Sequence, residues 1–132
     1  MKTISAISIS LLIALTLACG YSKKAAAPPT AGTVPAISQL SPDATTAGGP
    51  AFAVTVNGSN FASKAVVNWN GTPLTSTTIS AKQMTATVPA TMIASPATVQ
   101  ITVTNPGTAG TGLYGGGGTL AETSAPMSFT VN

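Results

Sequence analysis

The side chains best suited to chemistry are scarce in this chain. Among 132 residues there is one cysteine, Cys19, and two carboxylates, Asp43 and Glu122, with no histidine and no arginine. Without histidine the commonest general base is missing. Asp43 and Glu122 are too far apart in sequence to form a motif. Zinc sites draw on Cys and His, so they lack ligands here. Calcium takes about 6–8 oxygens, usually from several carboxylates, which leaves Asp43 with backbone carbonyls as a weak site at best. Ser and Thr are abundant, but a hydroxyl becomes a nucleophile only beside an activating base, and none is in view. The expectation is a chain with no catalytic residues, no bound metal and no cofactor.

Charge excludes a second class. Five lysines stand against two acids, a net charge of only +3, and charged residues make up 5% of the chain. A phosphate-binding face needs Lys and Arg clustered on one surface, so nucleic acid is not an expected partner. Gly110-Thr-Gly112-Leu-Tyr-Gly115 has the spacing of a dinucleotide fingerprint. That fingerprint works only between a strand and a helix, with an acidic residue further on. The context is lacking, and the match is set aside.

The N-terminus reads as an address. Lys2 precedes an apolar run from Ile4 to Leu17, and Ala18 is a small residue at its end. This is the plan of a secretory signal, and the run is shorter than the ~20 apolar residues of a membrane-spanning helix. Leu15-Thr16-Leu17-Ala18-Cys19 resembles the lipobox of bacterial lipoproteins, with Thr16 where the best examples carry Leu. The resemblance implies removal of residues 1–18 and acylation of Cys19, which then anchors the chain to a membrane. One acyl chain binds only marginally, and several together hold stably. The competing reading is a free or intermolecular thiol. In Gram-negative lipoproteins a residue such as Gly20 after the cysteine implies export to the outer membrane.

Residues 19–34 read as a flexible linker. Pro28-Pro29 favours extended geometry and the surrounding Ala, Gly and Thr offer no apolar period. Lys23 and Lys24 either contact anionic head groups or are simply solvated.

From residue 35 the pattern switches to period two. Phe52, Val54 and Val56 alternate with Ala53, Thr55 and Asn57; Met84, Ala86 and Val88 alternate with Thr85 and Thr87. Val67 and Trp69, then Val99, Ile101 and Val103, then Met127, Phe129 and Val131 repeat the scheme. Such runs give one apolar and one hydroxyl-rich face. Turn signals separate them at Gly48-Gly49-Pro50, Asn57-Gly58, Asn70-Gly71, Pro89 and Asn105-Pro106-Gly107. The fold class is therefore all-β, with about seven strands in two sheets packed face to face, a β-sandwich over residues 35–132. Trp69, Phe52, Phe61 and Phe129 are assigned to its core.

Several of these runs also resemble a known module. PAISQLSP (35–42), AGGP (47–50), VTVNGSNF (54–61) and VVNWNG (66–71) look like the opening strands of an IPT/TIG domain. MTATVP (84–89), VQITVTNPG (99–107) and MSFTV (127–131) look like later ones. The resemblance implies an immunoglobulin-like fold with no activity of its own. The departure from it is Gly107–Pro126, a long glycine-rich segment containing Tyr114, which is the candidate for a surface ligand contact. Two functional readings follow. One is a lipid-anchored envelope module that meets another protein or plays a structural part. The alternative is a carbohydrate-binding module, which would require exposed aromatic side chains.

Overall fold

The computed structural model describes residues 27–111 and 116–132. Their strands are β1 (Ala36–Ser41), β2 (Ala44–Thr45), β3 (Phe52–Ser59), β4 (Val66–Trp69), β5 (Thr72–Pro73), β6 (Thr75–Ser80), β7 (Gln83–Val88), β8 (Ala97–Asn105), β9 (Glu122–Thr123) and β10 (Met127–Val131). A 3₁₀ turn, Ala90–Ile93, follows Pro89. Two sheets form, one in the order β1-β3-β7-β6 and the other β2-β10-β8-β4-β5, with β9 also on β8. Pairing is antiparallel throughout except for β2 beside β10.

The period-two runs become the inner faces. Val54 and Val56 of β3 and Met84, Ala86 and Val88 of β7 are buried, facing Val67, Trp69, Ile101, Val103, Phe129 and Val131 of the second sheet in one cluster. Phe129 is the aromatic hub. It stacks on Phe52 with centroids 5.8 Å apart and meets Trp69 at 5.1 Å in a tilted arrangement. Burying the ring of Phe129 or Trp69 accounts for ~3–5 kcal/mol each, judged by truncation of comparable core aromatics. Phe61 is buried as expected, and Phe52 is half-buried against the same cluster.

Three segments depart from the expectations. Asn57-Gly58 is not a turn; it lies inside β3, opposite Ile37 and Gln39 of β1. Glycine serves close approach here, because a Cβ at position 58 would collide with the Ala36 carbonyl and the Phe61 ring. Asn70-Gly71, by contrast, does turn β4 into β5. Both residues have positive φ, 48° and 86°, as a two-residue hairpin turn of this hand requires. The second departure is β6 (TSTTIS), which has no apolar alternation to announce it. It forms because β7 offers a paired edge from Thr75↔Thr87 to Ser80↔Gln83.

The third departure is the long segment after β8. Its last part is strand, since Glu122 and Thr123 pair with Asn105 and Thr104. Ser124 carries the ladder across the gap to β10: its N–H donates to the Val103 carbonyl at 2.8 Å and its hydroxyl accepts the Val103 N–H at 3.0 Å. Earlier in the segment Thr108 and Thr119 bridge each other antiparallel. Thr119 also bridges Thr30 in parallel, with Thr30 N–H to Gly118 and Leu120 N–H to Thr30 bonds of 2.9 and 3.0 Å. The end of the stretch expected to be flexible linker thus packs along the inserted segment.

Candidate functional site

The strands all run along one axis, so the sandwich has two ends. The proximal end is where residues 27–35 join. There β1 begins, β3, β6 and β8 finish, and the β3–β4 loop, the β6–β7 turn and the inserted segment gather. The distal end holds the corner after β1, the loop before β3 and the 3₁₀ turn. It also holds Asn132, whose N–H donates to Thr45 and whose carbonyl accepts from Ala47.

Asn105 organises the proximal end. It is the last residue of β8 and, at 5% exposure, one of two buried polar side chains among the described residues. Its Oδ1 accepts the Ala62 N–H at 2.9 Å. Its Nδ2 donates to the carbonyls of Thr33 and Asn60, both at 2.8 Å. One amide therefore ties the incoming chain and the β3–β4 loop to the end of β8. An amide suits this place because it offers an acceptor and two donors on one planar group. The sequence marked Asn105 only as part of a turn, and the inward phase of β8 (Val99, Ile101, Val103, then Asn105) was the signal that its side chain points into the structure.

Beside this hub lies an open hollow of about 460 Å³, lined by Ala62, Ser63, Lys64, Pro106, Gly107 and Thr108 among others. Among the described residues Lys64 is its only charge. Lys82, in the β6–β7 turn, belongs to the same end, since its carbonyl accepts the Gly58 N–H at 2.9 Å. The two carboxylates are kept apart. Glu122 pairs with Asn105 at the proximal end, whereas Asp43 follows β1 at the distal end, where its carbonyl accepts from Thr130. They form no acid–base pair. Among the described residues no group of three or more His, Cys, Asp or Glu could hold a metal ion, and no buried side-chain polar atom lacks a partner.

Two residues singled out from the sequence, Cys19 and Tyr114, lie outside the described residues. Trp69 is 4% exposed on the inner face of β4 and in contact with Phe129, so it offers no surface for a ligand. The outer face of the β1-β3-β7-β6 sheet presents Thr55, Thr75, Thr77, Thr85 and Thr87. Among the described residues it carries no aromatic ring on which a sugar could stack. No helix among the described residues is long and apolar enough to cross a membrane.

Comparison with protein families matches residues 35–120 to the IPT/TIG domain. The chain belongs to the IPT/TIG family. Comparison with the curated proteins and with the solved structures finds no match. IPT/TIG domains are immunoglobulin-like modules used in protein interaction or structure, and they are generally non-catalytic. The match ends at residue 120, yet β10 beyond it fills the space between β2 and β8 and contributes Phe129 to the core. In this IPT/TIG domain the sandwich therefore continues past the matched span, with the inserted segment interposed before its last strand.

Proposed function

We propose that this protein is a non-catalytic lipoprotein of the bacterial cell envelope, displaying an IPT/TIG domain to another envelope protein or as a structural element. The observation that carries the reading is Cys19. It stands directly after an apolar run that Lys2 precedes and that ends in Leu17-Ala18, and an immunoglobulin-like domain of an interaction-module family follows it. On this reading residues 1–18 are removed, the Cys19 thiol is acylated, and Gly20 directs the protein to the outer membrane. Lack of catalysis agrees with the separation of Asp43 from Glu122 and with the absence of histidine. A protein partner is favoured over a polysaccharide because the burial of Trp69 removes one of the aromatic rings a sugar groove would use.

The test is the intact mass of the protein extracted from bacterial membranes, beside a Cys19→Ala variant. The expected result is a mass of residues 19–132 plus acyl chains, with the acylated species lost in the variant. A soluble, unacylated species cut near Cys19 would refute the anchor.

A further inference from the structure

The exposed features of the domain are unevenly shared between its two ends. Lys64 sits in the β3–β4 loop and Lys82 in the β6–β7 turn, both proximal. The large hydrophobic side chains exposed among the described residues are Val34 (54%), Ile79 (59%) and Leu120 (52%). Val34 precedes β1, with its carbonyl held by the Asn60 amide, and Leu120 bonds to Thr30. Ile79 lies in the bulge that ends β6, next to the β6–β7 turn. All five belong to the proximal end. Glu122 is there too, half-buried beside Gly32, while Asp43 is the one charged side chain at the distal end among the described residues. Scattered exposed hydrophobics mean little. Their gathering with the lysines at the end where the chain arrives does mean something.

The length of the arriving chain adds the second argument. Cys19 and Ala27 are eight residue steps apart, a reach of at most about 29 Å when fully extended. From Ala27, whose carbonyl accepts the Gly117 N–H, the chain is already bonded to the domain, and Thr30 and Thr33 follow through Gly118, Leu120 and Asn105. A lipid on Cys19 would hold the proximal end within that distance of the bilayer, and Lys23 and Lys24 lie in the intervening residues.

We infer that the proximal end of the sandwich is a membrane-apposed surface, resting on anionic lipid head groups of the leaflet that holds the anchor. Lys64 and Lys82 meet the head-group phosphates, and Val34, Ile79 and Leu120 sit at the interfacial layer, where apolar side chains gain burial. The distal loops then face away and are left for a partner. This inference rests on the lipid anchor proposed above. Each lysine near an anionic surface favours the resting state about fivefold, and the preference weakens with salt.

The experiment uses the acylated full chain, its acylation checked by mass, in vesicles of phosphatidylcholine with and without phosphatidylglycerol. Acylation would consume Cys19, so a thiol introduced by Ser63→Cys (proximal) or Ser95→Cys (distal) carries a single fluorescent probe. The readout is its quenching by a head-group-borne quencher. Strong quenching at position 63 with phosphatidylglycerol, little at 95, and loss of the difference in Lys64→Gln/Lys82→Gln are expected. That double variant should lower the equilibrium constant for resting on the bilayer roughly 25-fold, at fivefold per lysine. Equal quenching at both positions in an acylated chain, or proximal quenching indifferent to anionic lipid and to the two lysines, would overturn the inference and leave the lipoprotein reading standing. Proximal shielding seen in native envelopes but not in the anionic vesicles would overturn it in favour of a protein at that end. An unacylated chain would remove the anchor and this inference with it.

Discussion

Removing the Asn105 amide should loosen the proximal end and lower the stability of the whole domain. In Asn105→Ala three backbone groups lose their partner: the Ala62 N–H and the carbonyls of Thr33 and Asn60. Each such bond contributes a net ~1 kcal/mol, and a buried group left unpaired costs ~1–3 kcal/mol. The groups are only part-buried, so water can reach some of them, and the expected loss is about 3 kcal/mol. Asn105→Asp should be worse than Ala. It keeps the acceptor for Ala62 but turns a carboxylate oxygen toward two carbonyl oxygens where Nδ2 now donates. Urea unfolding followed by the fluorescence of Trp69, the only tryptophan in the chain, would give both values. Hydrogen exchange at the Thr30 and Leu120 amides would report release of the incoming segment, which should open before the core does. If Asn105→Ala lies within about 0.5 kcal/mol of the parent, as an ordinary surface change would, or if Asp is the milder change, the role assigned to this side chain is wrong.

Two other substitutions probe features the pattern of apolar residues did not announce. Gly58→Ala places a methyl against the Ala36 carbonyl and the Phe61 ring, so β1 must move off β3, and thermal unfolding should show a loss of about 2 kcal/mol or more; an unchanged midpoint would mean the strands are not so close. Ser124→Ala leaves the buried Val103 N–H without its acceptor, for a loss of ~1–3 kcal/mol. Amide exchange at Val103 should speed up while that at Ile101 stays slow.

What could be read in advance was whatever depends on side-chain period. Val54, Val56, Met84, Ala86, Val88, Ile101, Val103 and Phe129 alternate with hydroxyl residues, and alternation alone fixes which face of a strand is buried. Trp69 follows from the phase of Val67. Illegible were the elements that exist through tertiary contact. The six residues of β6 contain no apolar alternation, and their pairing is supplied by β7. Asn57-Gly58 has the composition of a hairpin turn, but β1 crossing at Ala36 decides its conformation. The incoming residues 30–34 look like linker because they contribute little apolar burial. Thr30 is held instead by backbone bonds to Gly118 and Leu120, nearly ninety residues later, and Thr33 and Val34 by the Asn105 and Asn60 amides, which no local pattern encodes. At the proposed functional positions the contrast is sharper. Cys19 is proposed from the sequence alone and lies outside the described residues, whereas the sharing of one end by Lys64, Lys82, Val34, Ile79 and Leu120 follows only from strand direction and register.

The way β1 lies on β3 also determines how the domain would carry load. The two strands run antiparallel for the full length of β1, from Ala36↔Ser59 to Ser41↔Thr55, and β1 continues directly from the incoming chain. A pull on residues before 27 acts first on the Thr30 contacts and on the Asn105 clasp, which sit at the point where force enters. Past the clasp, tension directed along the sandwich axis acts on the β1–β3 ladder in shear, so its hydrogen bonds resist together instead of opening one at a time. The proximal contacts would then yield first, as a short extensible leash, while the sandwich behind them stays closed.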